Sequence, residues 1–192
     1  MQTYRVPVPL TRLIGRQGEI EAARRCLLEA GVRLLTLTGA PGAGKTRLAL
    51  DVAEAVRAEF PDGVWFVSFA PVQSPELVLP TIAQVLGVRE ADRRVPLLET
   101  LTRTLQDRRL LLVLDNLEHL LPAAPDLVEL LGSCRDLALL VTSRAPLHVS
   151  GEHRLDVAPL ALPSLEPMPS LPDLALVPSV RLFAERVVAV AP

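Results

Sequence analysis

Two spacings of apolar residues alternate along this chain. Short, almost unbroken apolar runs lie at 33–38, 64–69, 110–114 and 137–142. Runs of that length, rich in Leu and Val, predict strands buried on both faces, as in the middle of a parallel sheet. Between them apolar residues return every third or fourth position: Ile20, Ala23 and Leu27, then Leu48, Val52 and Val56, then Leu97, Leu98, Leu101 and Leu105. That spacing predicts helices with one face on a sheet, over 17–30, 47–56 and 96–106. Ser74-Pro75-Glu76 opens a further helix that ends at Gly87, by N-cap, first-turn proline and first-turn acid. A short helix at 124–131 and a weaker strand at 153–157 complete the series. The alternation predicts an α/β fold, an αβα sandwich around a mostly parallel five-stranded sheet.

Punctuation divides the chain into four parts. Residues 1–16 are extended and proline-broken, and 17–157 hold the alternating core. From 158 to 178 six prolines (Pro159, Pro163, Pro167, Pro169, Pro172 and Pro178) sit among leucines, predicting an extended connector laid against the surface and free of regular elements. Residues 179–192 predict one more helix, with Val180, Phe183, Val187 and Val190 on a stripe.

Composition narrows the class. With 192 residues, 49% of them hydrophobic and only 3% aromatic, the chain suits a single aliphatic α/β core with a small appendage. No apolar run approaches the roughly 20 residues that span a bilayer, and the N-terminus lacks the apolar centre of a signal peptide. Cys26 and Cys134 lack metal-ligand spacing and read as reduced packing residues. A cytoplasmic protein without membrane contact is expected. Net charge is −2, and arginine pairs such as Arg24-Arg25, Arg93-Arg94 and Arg108-Arg109 are scattered, which argues against direct nucleic-acid binding.

Of 20 basic side chains, only Lys45 is a lysine. It lies in Gly39-Ala40-Pro41-Gly42-Ala43-Gly44-Lys45-Thr46, which fits G-x-x-x-x-G-K-[ST], the phosphate-binding P-loop. An ammonium is a compact charge that fits between phosphate oxygens where a planar guanidinium does not. A strand precedes this loop and a helix, beginning near Arg47, follows it, so backbone N–H groups and the helix dipole converge on an anion. The Thr46 hydroxyl suits Mg²⁺. The run at 110–114 ends in Asp115, the Walker B pattern, which delivers a carboxylate to the same metal. Where many such ATPases carry a second acid, this chain has Asn116, which cannot accept a proton. Glu118 is then either a displaced base or a surface acid, and His119 either a γ-phosphate contact or a local hydrogen-bonding residue. Arg144 closes the run at 137–142 plus Ser143, at the strand end where α/β sheets bind ligands.

These segments in order, with Leu13-Ile14-Gly15-Arg16, LLTLTGAPGAGKT, GVWFVSF, LLLVLDNLEHL and LLVTSR, resemble the NB-ARC-like nucleotide domain of STAND-class signalling ATPases. The resemblance is to the type found in bacterial LuxR-family and AfsR/SARP-like transcriptional regulators and in ATPases fused to tetratricopeptide repeats. It covers most of the chain and implies that Leu13 to Arg16, including Ile14 and Gly15, form part of the adenine pocket and that Arg144 is the sensor arginine. It also implies ATP–ADP exchange as a switch over oligomerisation, and partners among the other domains of a larger regulator. The final helix resembles the entry to that family's helical lid. The function expected is a regulatory ATP/ADP-binding domain with slow hydrolysis. A small-molecule P-loop kinase and a nucleotide-binding scaffold without hydrolysis are the alternatives.

Overall fold

The computed structural model describes residues 4–88, 94–164, 166 and 169–190. Arg93 and Pro167 lie outside the described residues, and of Tyr4, Arg5 and Val190 the backbone alone is described. Among the described residues six strands and seven α-helices follow one another as β1 (Tyr4–Arg5), α1 (Gln17–Leu28), β2 (Leu34–Thr38), α2 (Lys45–Ala55), β3 (Val64–Ser68), α3 (Val78–Leu86), α4 (Leu97–Leu105), β4 (Leu110–Asp115), α5 (Ala124–Ser133), β5 (Leu137–Ser143), β6 (Glu152–Asp156), α6 (Leu171–Leu176) and α7 (Pro178–Val190).

The expected five-stranded core is present, and every pairing in it is parallel. The strands lie in the order β1-β3-β4-β5-β2-β6. β1 is a sixth, two-residue edge strand, with Tyr4 opposite Val64 and Arg5 opposite Trp65. It was not legible in the sequence, because two residues are too few to show a strand pattern and Pro7 follows closely.

Strand side chains alternate between two apolar layers. Leu110, Leu112 and Leu114 of β4 join Leu139 and Val141 of β5 and Ile82, Leu101 and Leu127 of α3, α4 and α5. On the other face Leu111, Val113 and Leu140 meet Leu27 of α1 and Leu48 and Val52 of α2. Both layers are shielded almost completely from water, which is why β4 and β5 are apolar at nearly every position. β6 is the exception: it pairs only with β2, and it carries Glu152, His153, Arg154 and Asp156. Charge on an unpaired edge discourages further strand addition.

The proline-rich stretch departs from expectation at one point. α6 forms within it because Pro172 falls in the first turn, where no intrahelical N–H is needed. Ser170 caps that helix, its hydroxyl accepting the Asp173 N–H at 3.4 Å. Among the described residues no helix is long and apolar enough to cross a membrane.

The order β4-β5-β2 positions the site. β2 opens the glycine-rich loop, β4 ends in Asp115, and β5 between them ends in Ser143, with Arg144 directly after it. Three neighbouring strands thus deliver their carboxyl ends to one edge.

Candidate nucleotide site

Residues 39–44 connect β2 to α2 without any side chain larger than proline. Gly44 stands at the N-cap of α2 with φ +91°, a left-handed conformation that a β-carbon would strain. A β-carbon built there, or on Gly42, would meet nothing within 4 Å, so the space above the loop is open. Lys45 is buried and its Nζ donates to the loop carbonyls of Gly39 at 2.8 Å and Ala40 at 3.0 Å. The ammonium therefore lies inside the loop's own ring of backbone, as the motif requires.

Thr46 and Asp115, separated by 69 residues, meet directly: the Thr46 hydroxyl donates to Asp115 Oδ1 at 2.7 Å. A second hydroxyl, from Thr142 on β5, donates to the same oxygen at 2.7 Å. The Thr142 oxygen in turn accepts the Asn116 N–H at 3.0 Å. Asn116 takes the left-handed conformation at φ 64°, which asparagine tolerates better than most residues. The carboxylate is buried and held in place by hydroxyls from two different elements. Thr142 is a site residue that the sequence reading missed.

Glu118 sits on the short 3₁₀ turn Leu117–His119 and accepts a 2.8 Å charged contact from Arg144 Nε. Its other oxygen, Oε2, is buried without a hydrogen-bond partner. The His119 Nε2 lies 2.6 Å from the Val72 carbonyl.

Beside the loop opens a cavity of about 670 Å³, walled by residues from opposite ends of the chain. Ile14, Pro41 and Ala43 meet Pro159, Leu182 and Phe183 there, an apolar slot of the size that holds a heterocyclic base. Arg12, Arg16, Arg47 and Arg186 also line it, and among the described residues no acid does. Arg16 is buried and already engaged, donating to Glu19, to the Ala43 carbonyl at 3.1 Å and to the Ala158 carbonyl at 2.5 Å. It pins the N-terminal segment to the loop and to the chain after β6. Arg47 donates to the Thr11 carbonyl and pairs with Asp51 at 3.0 Å. Burial pushes the Asp51 carboxyl above the ordinary aspartate range, against the opposing pull of Arg47. Gly15 does not line the cavity. Its φ is +67°, and a β-carbon on it would lie 2.5 Å from Pro178 Cβ, so it is the point where α7 is seated. Leu182, Phe183 and Arg186 were not foreseen as wall residues, because the stripe on α7 carries no local sign of what it faces.

The AAA domain family matches residues 29–157, from the end of α1 through β6. The chain belongs to that family. It is a P-loop ATPase domain with the all-parallel α/β core of its class. A Mycobacterium tuberculosis protein, provisionally named an HTH-type transcriptional regulator, is 42% identical to the AAA domain over 161 residues, 83% of this chain and 16% of that protein. The regulatory protein AfsR of Streptomyces griseus is 30% identical over 171 residues, 82% of this chain and 17% of AfsR. The chain thus spans about a sixth of the length of these regulators. Among solved structures the AAA domain resembles the Aeropyrum pernix ORC2 protein in its ADPNP–ADP complexes, with TM-score 0.58 and 22% identity over 82% of this chain and 50% of that one. It also resembles a STAND protein with a tetratricopeptide repeat sensor from Pyrococcus horikoshii, with TM-score 0.51 and 18% identity over 79% and 24% of the two chains. These two likenesses concern the fold.

Proposed function

We propose that this AAA domain binds ATP and ADP with Mg²⁺ and serves as the nucleotide-dependent switch of a larger transcriptional regulator, hydrolysing ATP slowly. The observation that carries the reading is the 2.7 Å contact between Thr46 and Asp115. It joins the P-loop hydroxyl to the Walker B carboxylate beneath a loop that already encloses Lys45. The two groups are hard oxygen donors, a set that fits Mg²⁺ and not a soft metal. Among the described residues no cluster of three or more His, Cys, Asp or Glu could hold a metal, so the ion would take its remaining ligands from phosphate and water. Mg²⁺ would supply charge neutralisation between phosphates. The chain's own part is to cradle the anion through residues 39–46, to place Lys45 against it, and to seat the base between Ile14 and the α7 wall.

Slow hydrolysis follows from Asn116, whose amide cannot take a proton from water, and from the engagement of Glu118 with Arg144. The regulatory role is supported by the relatives, whose names are those of transcriptional regulators. Oligomer partners and the other domains of such a regulator are the contacts through which the switch would act, in the cytoplasm.

The test is thermal unfolding with ATP or ADP, with and without Mg²⁺. A ligand at about 100 times its Kd adds roughly 2.7 kcal/mol, which raises Tm by about 5–10 °C for a domain of this size. Lys45→Ala should erase most of that rise while the unliganded Tm stays close to wild type. A rise that survives Lys45→Ala overturns the assignment.

A further inference from the structure

We propose that Glu118 sets the selectivity of this site between nucleoside triphosphate and diphosphate, by holding Arg144 until a γ-phosphate competes for it. The proposal rests on the nucleotide-binding reading above and adds a residue that acts through Arg144, a positioning role and not a catalytic one.

Three observations lead here. Arg144 leaves β5 between the strand that opens the P-loop and the strand that ends in Asp115, so its backbone is anchored at the phosphate edge. Its side chain is 61% exposed, whereas that of Glu118 is 15% exposed. The arginine is thus the mobile member of the pair and the glutamate the fixed one. Finally, Glu118 keeps one oxygen on Arg144 Nε at 2.8 Å while the other is buried without a partner. A carboxylate in that position is poorly compensated, and its grip on the guanidinium is correspondingly hard to replace by water.

A guanidinium so held must exchange one anion for another before it can bind phosphate. An ADP molecule ends at the β-phosphate, over the loop, and has no group with which to draw Arg144 away from Glu118. The terminal phosphate of ATP adds the charge and the acceptor oxygens that a guanidinium binds well. The ion pair therefore subtracts from ATP affinity and leaves ADP affinity nearly untouched. A partly exposed pair of this kind is worth a factor of up to about five.

The experiment is calorimetric titration of the full chain with ADP and with ADPNP, the non-hydrolysable imido analogue of ATP, both with Mg²⁺. The analogue is essential, because blocked hydrolysis alone would mimic tighter ATP binding. Glu118→Gln, which keeps the shape and removes the charge, should raise the ADPNP-to-ADP affinity ratio about three- to fivefold. Arg144→Gln should lower that ratio, and adding Glu118→Gln to Arg144→Gln should change it no further, since coupled residues are not additive. If Glu118→Gln leaves the ratio unchanged or lowers it while both nucleotides still bind, the selectivity role is refuted and the nucleotide site stands. If wild-type protein binds neither nucleotide, the underlying reading fails and this one with it. Thermal unfolding of each variant without ligand separates loss of fold from loss of selectivity.

Discussion

Thr142 offers the sharpest test of how the site is built. Its hydroxyl is fully buried, donates to Asp115 Oδ1 at 2.7 Å, and accepts the Asn116 N–H at 3.0 Å. Thr142→Val keeps nearly the same shape, so packing contributes little to the loss. Two polar terms remain. A hydrogen bond to an ionised group contributes about 1.5–3 kcal/mol, and a buried donor left without its acceptor costs about 1–3 kcal/mol. The two overlap, and their combined cost is about 2–4 kcal/mol. At roughly 2–4 °C per kcal/mol for a chain of this length, Tm should fall by about 5–15 °C. Thr142→Ser retains both bonds and loses one methyl group, worth about 1 kcal/mol. Thermal denaturation followed by circular dichroism, on both variants side by side, separates hydroxyl from methyl. Mg²⁺-dependent stabilisation by ATP should persist in Thr142→Ser and weaken in Thr142→Val, because Asp115 loses one of the two hydroxyls that orient it. Equal stability of the two variants would show that the hydroxyl bridge contributes nothing, and would refute this account of how Asp115 is held.

Two more outcomes are expected. Gly15→Ala should lower stability by about 1–3 kcal/mol, since it strains a backbone at φ +67° and drives a β-carbon to 2.5 Å from Pro178; ADP titration should show weaker binding as the α7 wall is displaced, and unchanged affinity would mean that this wall does not contact the nucleotide. Asn116→Asp places a carboxylate directly after Asp115 in a conformation that aspartate also tolerates, and ATP hydrolysis should rise by about tenfold or more, measured as phosphate release; a flat rate would show that Asn116 is not what limits turnover.

The loop 39–46 and the end of β4 were legible because each is a local pattern in which neighbours in sequence are neighbours in space. The same holds for the buried strands, whose unbroken apolar runs follow from helices on both faces. The Thr142 bridge was not legible. It depends on β4 lying beside β5 with Leu114 opposite Val141, a register between segments 27 residues apart that no local spacing encodes. α6 was missed for a different reason. Its Ser170 cap and first-turn Asp173 were both visible, but six prolines in the stretch were read as breakers, although Pro172 sits in the first turn, where its missing N–H costs no intrahelical bond. The partner of the α7 stripe was hidden by distance. Phe183 lines the cavity beside Pro41, and only the folded chain brings them together.

That distance has a consequence for biosynthesis. The loop and its lysine are synthesised first, and the opposite wall of the cavity, from Pro159 to Arg186, follows well after them. At about 5–20 residues per second, the interval between Lys45 and Phe183 is roughly 7–30 s. During that time a nascent chain presents the glycine-rich loop without the opposite wall of the cavity. On the nucleotide-binding reading proposed above, full affinity would arrive only once α7 has been made and seated on Gly15.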